Sequence, residues 1–128
     1  MLVASILLAE NREVYLPIVD DHGVDILVSS RPGNTQSPSY QELQVKSVST
    51  GGLFAAIKCE NPRKNYWFVF YIQDFDRMWL INSIDFVEIA SKNEKGKNIG
   101  KYSLDLKPTR KTPVKHAKYS ISDFSKLP

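Results

Sequence analysis

The chain has one cysteine, Cys59, and two histidines, His22 and His116, among its 128 residues. One thiol excludes an internal disulfide and suits a reducing compartment; set between Lys58 and Glu60, it reads as inert. No Ser/His/Asp or Cys/His arrangement is legible, with His22 beside Gly23 reading as a turn residue and His116 as solvated. No stretch approaches the roughly 18 consecutive apolar residues of a membrane span, so none is expected; a cytoplasmic location is expected from the single thiol. Met1 to Ala9 lacks a basic leader and a small-residue cleavage site, and is expected to be a helix of the fold, not a signal peptide. The glycines Gly51, Gly52 and Gly96 have no phosphate-loop spacing. Internal repeats and a domain linker are also absent.

What is present is a chain able to bury one core. With 42% hydrophobic residues in 128, a single domain over 1–128 is expected, with its core over about 1–106 and a basic tail over 107–128. Charge is unevenly spread. Residues 1–91 hold seven Lys/Arg against eleven Asp/Glu, a net −4, whereas 92–128 hold ten against three, a net +7. An acidic body with a basic C-terminal third suits acids that bind metal and lysines that meet phosphate. Against that stands the plainer reading that a lysine-rich surface keeps a small domain in solution.

Apolar periodicity predicts a short helix from Met1 to about Ala9. Strands are expected at 13–16, 24–29, 40–48, 53–58, 66–72, 77–82 and 101–106. Turn chemistry at Asp20-Asp21-His22-Gly23 and a polar loop over 31–38 separate the early ones. Tyr66 to Ile72 is apolar throughout, as expected of a central strand covered on both faces. Asp85 and Glu88 have capping-box-like spacing for a second short helix, ending near Lys92. Beyond Pro108 the tail reads as irregular, docking through Tyr119, Ile121, Phe124 and Leu127. Trp67, Phe68 and Trp79 read as core.

Chemistry concentrates on two of these strands. Between Tyr40 and Ser47 the alternation is strict, so Glu42, Gln44 and Lys46 share one face while Leu43 and Val45 share the other. Asp25 lies on an otherwise apolar strand, within His22-Gly23-Val24-Asp25-Ile26-Leu27-Val28. If the two strands adjoin, an acid joins the amide and lysine within metal-binding distance. Asp25 also has a structural reading, as a partly buried ion pair with Lys46. Without Asp25, the Glu42–Lys46 face would read as merely solvated.

This order of elements, with Asp21-His22-Gly23-Val24-Asp25 before Gln44-Val45-Lys46, resembles the restriction-endonuclease-like PD-(D/E)xK superfamily over about residues 1–90. Within it, the chain is most similar to the branch with glutamine in place of the middle acid, as in Mrr-type enzymes. The resemblance implies an α/β fold with a single mixed sheet flanked by helices. It also implies a metal-dependent nuclease that hydrolyses DNA phosphodiesters. By position, Asp25 would ligate Mg²⁺ or Mn²⁺ and Gln44 would stand in the second acid's place. Val45 would lend its backbone carbonyl, and Lys46 would serve the attacking water or the phosphate.

Because Gln44 is neutral, the metal should bind weakly in the free protein, with Glu10, Asp21 and Glu42 as further acids able to contribute. Contacts to DNA phosphates are expected from Lys92, Lys95, Lys97, Lys101, Arg110 and Lys111. A homodimer or a larger partner protein would extend the limited surface. The same residues also admit a catalytically inactive module that binds nucleic acid or protein, or a small β-rich binding domain unrelated to nucleases.

Overall fold

Apolar side chains on both faces of Tyr66–Ile72 put that strand inside the larger of two sheets. The computed structural model describes residues 2–18, 23–31, 39–112 and 114–128. Along them run α1 (Leu2–Ala9), β1 (Val14–Tyr15), β2 (Ile26–Ser29), β3 (Tyr40–Val48), β4 (Leu53–Ile57), β5 (Tyr66–Ile72) and β6 (Arg77–Asn82). There follow α2 (Ser83–Ile89), β7 (Ser91–Lys92), β8 (Tyr102–Asp105), a 3₁₀ turn (Ala117–Tyr119) and β9 (Ser120–Ile121). The expected loop over 31–38 falls largely outside the described residues, as do Asp20, Asp21 and His22.

The larger sheet has the order β1-β2-β3-β5-β6-β9 and is mixed: β3 and β5 are parallel, their neighbours antiparallel. It is the mixed α/β architecture expected. The chain does not meander directly from β3 to β5, however. It leaves the sheet for β4, which pairs with β8 and through it β7 in a second, three-stranded sheet. A parallel neighbour requires such a crossover, and here a strand from another sheet supplies it in place of the more usual helix.

Each face of β5 serves a different core. Phe68, Phe70 and Ile72 pack with Phe54, Ile57, Phe86 and Leu104, joining the two sheets and α2. Val69, with Leu43 and Ile26, packs under α1 through Val3 and Leu7. Phe124 and Leu127 are fully buried in that second cluster, and Ser120–Ile121 pair with β6. The tail therefore docks as its apolar residues suggested, and the core runs past the expected limit at 106.

Helix α2 corrects one expectation. It begins at Ser83, two residues before Asp85, capped by Asn82, whose Oδ1 accepts from the Ile84 N–H at 3.0 Å. Asp85 lies in the first turn instead, where its charge suits the helix dipole. The helix also stops before Lys92, which joins β7.

Candidate active site

Strand β3 presents its groups in two directions. Its even residues turn their backbone toward β5, as the Glu42 N–H shows by donating to the Asn65 carbonyl at 2.7 Å. The odd residues face β2. That ladder ends where Ile26 pairs with Leu43. Asp25 then takes over: its N–H donates to the Leu43 carbonyl at 2.8 Å, and its Oδ2 accepts from the Val45 N–H at 2.7 Å. A residue in an extended strand sends N–H and C=O to the same side, so the Val45 carbonyl faces the edge that Asp25 occupies. Asp25 Oδ1 takes no hydrogen bond among the described residues.

The side chains of Gln44 and Lys46 line an open cleft of about 500 Å³. Gln44 is held in place: its Oε1 accepts from the Tyr66 hydroxyl at 2.7 Å. Gly23 lies against both. It adopts φ +71°, and a Cβ there would come within 3.3 Å of Gln44 Nε2 and of the Tyr66 oxygen. Burial pushes the Tyr66 phenol up to about 12, with nearby Cys59, Asp25 and Glu42 acting in the same direction and Arg63 opposing. Tyr66 is thus a proton donor across the ordinary pH range.

Glu42 pairs with Arg63, whose guanidinium lies 4.5 Å from the centre of the Tyr66 ring and also donates to the Asn61 carbonyl at 2.8 Å. The Arg63 backbone is fixed as well. Buried Ser83 accepts from its N–H and donates to its carbonyl, both at 2.8 Å, while Asn82 Nδ2 donates to the Lys64 carbonyl. The start of α2 therefore anchors the turn that carries Arg63.

The wall opposite β3 comes from β4 and the connection after it: Ala56, Lys58, Glu60 and Asn61. With Lys46 and Arg63, the lining carries three basic side chains and one carboxylate. Lys46 and Lys58 form no ion pair among the described residues, so the closed Asp25–Lys46 pair is not what the structure contains.

The expected residues thus divide. Gln44 and Lys46 line the cleft and Asp25 flanks it, with Val45 between. Glu42 borders it but is spent on Arg63. Glu10 is elsewhere, its carboxylate accepting from the Phe124 N–H at 3.0 Å and so tying down the C-terminal segment. Asp21 lies outside the described residues. None of Lys92, Lys95, Lys97, Lys101, Arg110 and Lys111 lines the cleft. Lys92 sits over the Tyr102 ring and Lys101 reaches Asn98, both on or beside the smaller sheet. Sequence reasoning missed Tyr66, at the start of the neighbouring strand β5, and Lys58 and Arg63, which lie on the connection from β4 to β5. Cys59 is buried, and burial raises its thiol pKa, in keeping with an unreactive residue.

No group of three or more His, Cys, Asp or Glu side chains able to hold a metal occurs among the described residues. What the edge offers is one carboxylate with an uncommitted oxygen and a backbone carbonyl beside it. Those donors suit a hard cation such as Mg²⁺, which prefers oxygen, keeps several waters and is often completed by substrate phosphate. They do not suit a soft transition metal.

No protein-family profile matches the chain, and no curated protein sequence does. Among solved structures, a bacterial homing endonuclease, I-Ssp6803I, superimposes with a TM-score of 0.57 at 16% identity, over 91% of this chain and 80% of that one. The chain therefore has a nuclease-like α/β fold.

Proposed function

We propose that the chain is a metal-dependent endonuclease of the PD-(D/E)xK kind, in its glutamine branch, that hydrolyses DNA phosphodiester bonds by in-line attack of water. One observation carries the reading: Asp25 fixed to the Val45 N–H, on the edge the Val45 carbonyl faces, with Lys46 next along the strand and turned into a cationic cleft. The fold shared with a homing endonuclease supports it.

Asp25 and the Val45 carbonyl would hold Mg²⁺ or Mn²⁺. The bound ion would polarise a phosphoryl oxygen and lower the pKa of its water. Lys46 orients the attacking water and complements charge developing on the phosphate. Gln44, in the second acid's place, is oriented by the Tyr66 hydroxyl. Duplex DNA would be gripped through its backbone by the cleft's basic side chains. Lys92, Lys95, Lys97, Lys101, Arg110 and Lys111 would add sequence-independent contacts farther out.

A second reading is a nuclease-fold module that binds nucleic acid or protein without cleaving. What favours it is the neutral Gln44, whose oxygen is already bonded to Tyr66, in a site where Glu42 is committed to Arg63.

Nicking of supercoiled plasmid in Mg²⁺ or Mn²⁺ separates the two. The nuclease nicks as the native chain and loses at least about 100-fold in rate as Asp25→Ala or Lys46→Ala. Equal rates in all three remove these residues from the mechanism. Salt-sensitive DNA binding with no metal-dependent cleavage establishes the second reading.

A further inference from the structure

The cleft wall made by β4 contains a backbone anomaly with a clear effect on one side chain. Phe54 pairs with Leu104 and Ile57 with Tyr102, so three steps along β4 match two along β8. The extra residue is a β-bulge, and Ala56 within it takes φ +58°, a left-handed conformation that costs a residue with a Cβ about 1–2 kcal/mol. Without the extra residue, strict alternation would set Ile57 opposite to Phe54 and turn Lys58 toward the core. With it, Phe54, Ile57 and Cys59 are all buried, while Ala56 and Lys58 face the cleft.

The cleft's basic groups are not equivalent. Arg63 is committed to Glu42, the Asn61 carbonyl and the Tyr66 ring. Lys46 and Lys58 make no hydrogen bond or ion pair among the described residues, and they approach the cleft from opposite walls. Glu60 also lines the cleft but does not pair with Lys58. Two uncommitted lysines lining one open groove suit two phosphates of one polymer strand.

We propose that Lys58, turned into the cleft by the bulge at Ala56, binds a backbone phosphate of the nucleic-acid strand next to the one that Lys46 meets. The inference rests on the nuclease reading for the identity of the polymer. Lys58 takes no part in bond cleavage; it sets affinity and the path of the strand.

Binding of a fluorescent DNA duplex, measured by anisotropy across a salt series in EDTA, tests this apart from catalysis. Lys58→Ala should weaken binding about three- to tenfold near 0.1 M salt and make the slope of log affinity against log salt shallower by about one. Lys58→Arg should restore both. In the nicking assay, Lys58→Ala should raise KM and leave kcat within about twofold. A Lys58→Ala chain with native affinity and slope overturns the proposal, as does a native chain that binds no duplex. If the native chain fails to nick but shows the Lys58-dependent slope, cleavage is refuted and the phosphate contact stands. If nicking depends on Asp25 while binding and KM ignore Lys58, only this proposal falls.

Discussion

The Val45 N–H donates to Asp25 Oδ2 at 2.7 Å, and this bond continues the β2–β3 pairing one step past the end of the ladder. The Asp25 carboxylate thus has a structural duty and, on its other oxygen, a free donor. The two can be separated by substitution. Asp25→Ala leaves the Val45 N–H without its acceptor and should cost about 1–2 kcal/mol in urea denaturation, whereas Asp25→Asn keeps an oxygen there and should cost less than about 1 kcal/mol. A loss as large in Asp25→Asn as in Asp25→Ala would show that the charge itself is structural.

Tyr66 links the site to pH. Its folded-state pKa is raised by burial from 10.0 to about 12, so the native state holds this proton more tightly than the unfolded chain. The associated stability is complete below pH 10 and declines as pH rises from 10 toward 12. Tyr66→Phe should lose about 1 kcal/mol at neutral pH with the hydroxyl's bond to Gln44, and should lack that part of the alkaline decline. Denaturation curves of both chains at pH 8, 10 and 11 check this. Parallel pH dependence in the two would refute it.

The bulge at Ala56 is tested by relieving its strain. Glycine takes φ +58° freely, so Ala56→Gly should be neutral or up to about 1 kcal/mol more stable, after its extra unfolded-state entropy. Ala56→Val should destabilise by more than 1 kcal/mol on an order-of-magnitude basis, since a β-branched residue at positive φ is a strong outlier. Thermal denaturation supplies the comparison, and Ala56→Val as stable as the native chain would contradict the strain.

Burial of the C-terminal segment makes it part of the core. Phe124 and Leu127 have no exposed surface, and Glu10, Arg31 and Arg12 bind the backbone around them. Phe124→Ala should cost about 3–5 kcal/mol and Leu127→Ala about 2–5 kcal/mol in denaturant. A solvated tail would lose less than about 0.5 kcal/mol.

Local patterns made the elements nearest the site legible. Alternation over Tyr40–Val48 and the aromatic run Tyr66–Ile72 placed β3 and β5 with their observed ends. The shared face of Gln44 and Lys46 followed from the same alternation. What the sequence concealed depends on pairing between distant residues. Nothing local to Leu53–Ile57 says that β4 joins β8 and not β3. The Phe54-Ala55-Ala56-Ile57 spacing, with two small residues where alternation allows one, was the available sign of the bulge, and with it of Lys58 in the cleft. Tyr66 was legible only as part of an apolar central strand, since burial and a hydrogen bond to Gln44 are compatible in one phenol. Glu10 looked like a further acid only because its partner, the Phe124 N–H, lies 114 residues away.

The most direct measurement is the Mn²⁺-dependent nicking rate of the native chain against Asp25→Asn, with both confirmed folded by urea denaturation. An Asp25 metal site predicts nicking by the native chain and a rate at least about 100-fold lower in Asp25→Asn, since even the outer partners of metal ligands are worth about 10–100-fold. Equal rates in the two folded chains would contradict it.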